Sequence, residues 1–259
     1  MIIQLTHIKI EGYGAWTLGL GSDRESQLQM LQARLYYDLQ KLFSEKDCIV
    51  YQNRLDELVA ITNGLSIYEH SNIYSYISEL HREIALSMAV GIGQTPLDAS
   101  INAYHCRRDK LGINNNVQLY GNSNKIPASG SVPADMMVQI LHLDLDDSTR
   151  MTNAISPYEV SVFIVKIFSR LADEFVNIKN ITFYLGGDNF MVVSNPETLT
   201  ESKLIISNIC QQMNINLNCG IGLAFSARRA VRAATEALDT IRELRDQGKI
   251  QNIYEINCL

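Results

Sequence analysis

Two acids carry the strongest chemical signal in this chain. Asp188 lies in Leu185-Gly186-Gly187-Asp188-Asn189-Phe190, between the apolar runs Ile181–Leu185 and Phe190–Ser194. The pattern reads as strand, tight turn, strand, because glycine adopts backbone angles that other residues resist. The turn then holds up one carboxylate. Asp144 lies upstream in Ile140-Leu141-His142-Leu143-Asp144-Leu145-Asp146-Asp147, an apolar run ending in acids. A strand-end acid and a hairpin acid on a neighbouring strand can share a divalent cation. Mg²⁺ suits such a pair, since it is usually held by one or two carboxylates plus substrate phosphates. We expect Asp144 and Asp188 to be the catalytic carboxylates and metal ligands, helped by the Leu145 backbone carbonyl. Asp146 is a candidate third ligand one step further along. Gly186, Gly187 and Asn189, with Asp146, are expected to contact substrate. Without a cation the carboxylates repel, and one should have a raised pKa. With it, the metal can clamp a triphosphate or activate a water. The plainer reading is a set of solvated acids at a strand end. A Gly-Gly-Asp turn on the adjacent expected hairpin weighs against it.

The elements that must position these acids recur twice along the 259 residues. In the first half, Ile3–Ile10 reads as a strand. Ser22-Asp23-Arg24-Glu25 resembles a capping box, followed by a helix with Leu28, Leu31, Leu35, Leu39 and Leu42 on one face. Strands at Cys48–Tyr51 and Leu58–Thr62, a helix near Asn72–His81 and a strand at Ala85–Gly93 follow. Thr95-Pro96-Leu97-Asp98 then starts another helix. The second half repeats the order. It has a strand at Val138–Leu145, a capped helix from Ser156, the Gly-Gly-Asp hairpin and a helix near Glu201–Met213. A strand at Asn216–Leu223, a long helix from about Ala227 to Arg245 and a closing strand at Ile250–Ile256 complete it. Each half is β-α-β-β-α-β plus a helix. The expected fold class is therefore α+β, two tandem ferredoxin-like domains whose antiparallel sheets carry helices on one face. We place the N-terminal domain at 1–120, a Gly/Ser/Asn/Pro-rich linker at 121–135 and the C-terminal domain at 136–259.

Echoes between the halves support duplication. Val90-Gly91-Ile92-Gly93 matches Cys219-Gly220-Ile221-Gly222, Asp56 matches Asp188, and Glu11 falls near Asp144. Strand side chains alternate. Leu141, Leu143 and Leu145 therefore oppose His142, Asp144 and Asp146, and the glycines Gly91, Gly93, Gly220 and Gly222 lie on the less apolar faces. Those faces read as bare, open to a flat ligand or to another backbone. The N-terminal hairpin, Arg54-Leu55-Asp56-Glu57, lacks the two glycines. Tyr13, Trp16, Arg54 and Asp56 are expected there as a base or ribose pocket rather than a second metal site.

Composition narrows the partners. A formal charge of −6 argues against a general nucleic-acid or anionic-membrane surface. No apolar run reaches membrane-span length, so we expect a soluble, cytoplasmic protein without a membrane or nucleic-acid polymer as partner. The five cysteines are widely spread, and neither they nor the five histidines show disulfide or zinc spacing.

Taken together, the motifs resemble a known family. Gly186–Phe190 with His142–Asp146 is similar to the nucleotidyl-cyclase and polymerase-palm group, including GGDEF diguanylate cyclases, although Asn189-Phe190 departs from their Glu-Phe. A fuller resemblance, over nearly the whole chain, is to archaeal-type GTP cyclohydrolase III. It rests on Tyr13-Gly14-Ala15-Trp16-Thr17, Arg24-Glu25-Ser26, Leu31–Tyr36, Ala60–Gly64 and Gly186–Met191. The sequence departs from that family at Glu11-Gly12 and Asp56-Glu57, where Asp-Asn is usual. The resemblance implies a Mg²⁺-dependent enzyme that opens the imidazole ring of GTP at C8 and keeps the formyl group. It also implies loss of two phosphates to leave a monophosphate product, stimulation by K⁺, and a homo-oligomer. A nucleotidyl or dinucleotide cyclase, or a non-catalytic nucleotide sensor of the same fold, are the competing expectations.

Overall fold

A computed structural model describes residues 2–113, 118–129, 133, 135–146 and 155–258. The chain divides into two compact units, Ile2–Gln94 with Asp98–Met136, and Met137–Leu259 with the short stretch Thr95–Leu97. The first unit contains strands β1 (Ile3–Glu11), β2 (Ile49–Arg54), β3 (Glu57–Ile61), β4 (Ala85–Gly93) and β5 (Leu119–Gly121). Its helices are α1 (Tyr13–Gly19), α2 (Arg24–Ser44), α3 (Ile67–Leu80) and α4 (Pro96–Arg108). The second contains β6 (Val138–Leu145), β7 (Ile181–Gly186), β8 (Asn189–Ser194), β9 (Leu217–Ala224) and β10 (Ile253–Cys258). Its helices are α5 (Pro157–Asn177), α6 (Leu199–Met213) and α7 (Ala227–Asp246).

The two sheets have one topology. Their strand orders are β2-β3-β1-β4-β5 and β7-β8-β6-β9-β10. In each, the first strand of the unit is central and pairs antiparallel with both neighbours, while the last strand joins parallel at the edge. The sheets are thus mixed at that edge, and antiparallel elsewhere. Each core follows from side-chain alternation. In the second unit Leu141, Leu143, Leu145, Cys219 and Ile221 bury against Ile164, Ile167, Leu171 and Phe175 of α5 and Ile206 and Ile209 of α6. In the first, Ile8, Ile10, Leu86 and Met88 bury against Leu35, Leu39 and Phe43 of α2 and Ile73 and Ile77 of α3. The two helices inside each βαββαβ unit therefore share one face, as expected. Truncating a buried anchor such as Phe175, which is fully enclosed, would cost ~3–5 kcal/mol.

The opposite faces are not bare, which corrects the sequence reading. The helix that follows each unit lies directly on them. A Cβ at Gly220 would stand 2.0 Å from the Ala234 carbonyl oxygen, and one at Gly222 would stand 2.0 Å from that of Ala230. Gly91 meets Ala99 and Ala103 of α4 in the same way. The buried face of α7 is built from Ala230, Ala233, Ala234, Ala237, Leu238 and Ile241. Small residues on both sides let helix and sheet approach closely. The glycines serve that contact, not a flat ligand.

Register also moves the internal echo. Leu145 N–H donates to the Asp188 carbonyl, as Ile10 N–H donates to that of Asp56. Gly222 meets α7 as Gly91 meets α4, through the Ala230 and Ala99 carbonyls. The two halves therefore align with Gly91 on Gly222, two residues from the sequence match. On this alignment Lys9, not Glu11, stands at the position of Asp144, and Glu11 stands at that of Asp146. Three local readings change as well. The Ser22–Glu25 box does not form: α2 starts at Arg24 with Asp23 as its N-cap, and no side chain caps it. The box would need the serine immediately before the helix, but α1 and the Gly21 turn bring the chain in one residue later. The capping box of the first unit is Ser66 with Glu69, which starts α3 earlier than the apolar spacing suggested. Finally, the start of the stretch read as a linker belongs to the first unit, with Gly121 paired in β5 and Ile126 buried in its core.

Candidate active site

Asp144 sits on the last turn of the pleat in β6, opposite Asn189 on one side and Asn218 on the other. Its carboxylate is 13% exposed and points to the α7 face. Asp188 occupies the β7–β8 turn beside it. Gly186 and Gly187 make that turn at φ +102° and +60°. A Cβ on either would meet nothing within 4 Å, so the requirement is purely conformational. Tyr184 donates its phenol hydrogen to the Gly187 carbonyl at 3.0 Å. Phe190 is fully buried, with its ring parallel to Phe168 and Tyr184 tilted against both. The display of Asp188 is thus anchored from below by aromatic packing.

A hydrogen-bonded chain orients the hairpin acid. Asn189 Nδ2 donates to Asp188 Oδ1 at 2.8 Å. That leaves Asn189 Oδ1 facing His142 Nε2 at 3.0 Å, so Nε2 must carry the proton. His142 Nδ1 is then an acceptor, 3.3 Å from the Thr235 hydroxyl on α7. Burial lowers the His142 pKa, which keeps the imidazole neutral in this role.

Charge is balanced from the helix. Arg242 Nη2 donates to Asp144 Oδ2 at 3.1 Å, and Arg245 Nη1 to Asp146 Oδ1 at 2.6 Å. Arg245 also donates to Asn218 Oδ1 at 2.9 Å. Burial raises the Asp144 pKa. The Arg242 hydrogen bond opposes that, and the Asp188 charge adds to it. The carboxylate repulsion expected from the sequence is therefore present, and it falls on Asp144.

The structure brings together Asp144, Asp188, Asn189 and the Gly186-Gly187 turn. Asp146 is engaged by Arg245. Asp147 lies outside the described residues. In the first unit Arg54 pairs with Asp56 at 3.2 Å, while Tyr13 and Trp16 form a separate aromatic pair on α1 with centroids 6.0 Å apart. Arg242, Arg245, Thr235 and the role of His142 escaped the sequence reading. The arginines lie at a spacing of three on one helix, which is the signal for a shared face, but nothing in the sequence says which carboxylates they meet.

Among the described residues no group of three or more His, Cys, Asp or Glu side chains is arranged to hold a metal. A pair of carboxylates does fit Mg²⁺, which needs few protein ligands when phosphates supply the others. The mutual repulsion of Asp144 and Asp188 favours a cation between them, which would take over the neutralising role that Arg242 plays for Asp144.

Two βαββαβ units of one topology, the second with a central-strand acid beside a hairpin acid, define a protein of tandem ferredoxin-like domains. Within it, a family model described as GTP cyclohydrolase III matches residues 3–254. The chain belongs to the GTP cyclohydrolase III family and is an enzyme of that kind. The GTP cyclohydrolase III of Methanothermobacter thermautotrophicus is 33% identical over 93% of this chain and 95% of its own. That of Methanocaldococcus jannaschii is 32% identical over 93% and 88%. Among solved structures, the GGDEF domain of PA1120 from Pseudomonas aeruginosa is 20% identical over 48% of this chain and 86% of its own, at a TM-score of 0.39. Among the described residues no helix is long and apolar enough to cross a membrane.

Proposed function

We propose that this enzyme hydrolyses GTP at C8 in a Mg²⁺-dependent reaction. Water adds to C8, the C8–N9 bond breaks, and the formyl group stays on the former N7. Two further waters cleave the phosphoanhydride bonds, and two phosphates leave as inorganic phosphate. The product is 2-amino-5-formylamino-6-ribosylaminopyrimidinone 5′-phosphate. The observation that carries this reading is the Asp144–Asp188 pair, held on a strand and a glycine turn beside two arginines, within a chain of this family.

Asp144 and Asp188 would hold Mg²⁺, with the Leu145 carbonyl as the third protein oxygen. The bound ion would neutralise phosphate charge and lower the pKa of a coordinated water. The chain's own residues do the positioning. His142 and Asn189 fix the Asp188 carboxylate. Arg242 and Arg245 present planar guanidinium groups, the shape that matches phosphate oxygens in pairs. Burial on β6 keeps Asp144 dry enough for such charges to interact strongly. Gly186 and Gly187 leave the turn without side chains, so a phosphate can approach its backbone. K⁺ as an activator, and assembly into a homo-oligomer, belong to the same proposal.

The test is spectroscopic. GTP with Mg²⁺ and the enzyme should lose its guanine ultraviolet signature as inorganic phosphate accumulates. Asp144→Asn and Asp188→Asn should abolish both changes while far-ultraviolet circular dichroism is unaltered. Unchanged GTP absorbance with the folded wild-type enzyme would sink the reading.

A further inference from the structure

We infer that a pocket beside the C-terminal half of α4 binds a small organic acid, its apolar body inside and its carboxylate at the rim. The pocket has a volume of 170 Å³, and every residue lining it belongs to the first unit. That is close to the ~150 Å³ of an apolar cavity that takes benzene, and well below the ~300–1,000 Å³ of sites for drug-sized ligands.

Comparing the two copies explains the space. α4 and α7 begin at equivalent positions, since Ala99 meets Gly91 as Ala230 meets Gly222. α7 runs for 20 residues and α4 for 13, about two turns fewer. In the second unit those turns bury Ile241. In the first the chain leaves the helix after Arg108 and comes back through β5. The return is held by backbone hydrogen bonds. Leu111 N–H donates to the Cys106 carbonyl at 2.9 Å, Gly121 N–H to that of Leu111 at 2.9 Å, and Lys125 N–H to that of Asn122 at 3.0 Å. Asn102 Nδ2 donates to the Ile92 carbonyl at 2.9 Å and ties the helix to the strand across the pocket wall. The walls are therefore set before any ligand arrives, which lowers the cost of binding.

The lining is asymmetric in its chemistry. Val90, Ile92, Leu111 and Ile126 supply apolar walls, and no carboxylate is among the lining residues. Lys125 is the lining residue with a fixed charge. It is exposed, which puts its ammonium at the rim, and it makes no ion pair among the described residues. Burial raises the Cys106 thiol pKa and Asp109 adds to this, while Lys125 opposes it, so the ammonium is felt at the wall. Asp109 is itself held by Arg108 through hydrogen bonds of 2.7 and 3.0 Å. His105 also lines the pocket, and its Nδ1 is buried without a hydrogen-bond partner. Buried polar atoms are nearly always paired, and a ligand oxygen would pair this one when Nδ1 carries the proton. An unspent cation at the edge of apolar walls suits an anion with a hydrocarbon body. Inorganic phosphate would leave the walls unfilled, and a neutral hydrocarbon would leave the ammonium unmatched.

Benzoate is the probe, with benzamide as its neutral counterpart and inorganic phosphate as an anion without an apolar body. Calorimetric titration of the full-length enzyme, without GTP or Mg²⁺, should give saturable benzoate binding with a Kd of about a millimolar or tighter, the range open to so small a ligand. Benzamide and phosphate should each bind at least about tenfold more weakly. Lys125→Met, at an exposed position, should weaken benzoate at least about tenfold, and Lys125→Arg should keep it within about threefold. Asn102→Trp, also at an exposed position, should abolish binding by filling the pocket with an indole. No saturable benzoate binding, equal binding of benzamide or phosphate, or unaltered benzoate binding in Lys125→Met or Asn102→Trp overturns the inference. The titrations contain no GTP, so each outcome is independent of the proposed ring opening.

Discussion

Asp144 is held between opposing influences. Burial and the Asp188 charge favour its neutral form, and Arg242 favours the carboxylate. Arg242→Ala removes the only one of the three that supports the anion. Because Arg242 is 54% exposed, the stability cost should be small, ~0.5–1 kcal/mol in urea melts. The loss of GTP conversion should be much larger, since the residue is also proposed to meet phosphate. Equal losses in both would place Arg242 in a structural role only. His142 tests the orienting chain. His142→Ala leaves Asn189 free to turn, so we expect a fall in kcat of about 10–100-fold, with weaker Mn²⁺ binding measured by calorimetry. Unchanged kcat and Mn²⁺ affinity would remove His142 from the site. The sequence showed both acids, because a Gly-Gly-Asp turn and an acid-ended strand are local patterns. It could not show this chain of contacts. The His142 link to Thr235 spans 93 residues, and its direction depends on how the Asn189 amide is turned.

Glycines separate two physical demands at the scale of elements. Gly187 has open space but φ +60°, so Gly187→Ala should cost ~1–2 kcal/mol through backbone strain alone. Gly220 has ordinary φ but its missing Cβ would lie 2.0 Å from the backbone of α7. Gly220→Ala must push the helix away, at ~1–3 kcal/mol or more. It should also shift Arg242 and Arg245, because α7 carries them. Denaturant melts and GTP turnover on the two variants distinguish these cases: comparable stability losses, with activity lost further than stability predicts only in Gly220→Ala. Activity tracking stability equally in both would contradict the coupling of α7 to the site. The strands, both hairpins and the long helices were readable from period and turn residues. The covering of the glycine faces was not. Alternation shows that a face lacks large apolar side chains, and both solvent and a small-residue helix satisfy that description. Ala230, Ala234 and Ala237 on α7 were the signal, visible only when helix and strand are considered as partners.

Across the whole molecule one unit is written twice and only one copy keeps the paired acids. Lys9 stands where the second unit has Asp144, and Asp56 of the first hairpin is paired with Arg54. The first unit has instead a His7–Glu57–Arg107 cluster. Burial alone would raise the Glu57 pKa, but His7 and Arg107 outweigh it and hold the carboxyl at about 2. His70 is fully buried and neutral, its pKa pushed down to about 4 by desolvation. Both pKa values are lower folded than unfolded, so both contributions are complete at neutral pH and fade on acidification. His70's share is lost between about pH 6.5 and 4, and Glu57's between about 4.5 and 2. The urea midpoint followed by Trp16 emission should fall progressively below pH 6.5; a flat profile to pH 4 would contradict this. Duplication was readable from element order. The register between copies was not, because the repeated glycine pair is displaced by two residues from the hairpin that fixes the alignment. The carboxylate pair of the second unit is proposed to serve ring opening of GTP. Mass spectrometry of GTP incubated with the enzyme and Mg²⁺ tests it most directly. The expected product is a formylamino-pyrimidine ribonucleotide monophosphate, with two inorganic phosphates for each GTP consumed. A cyclic nucleotide or dinucleotide with an intact purine, accompanied by pyrophosphate, would contradict it.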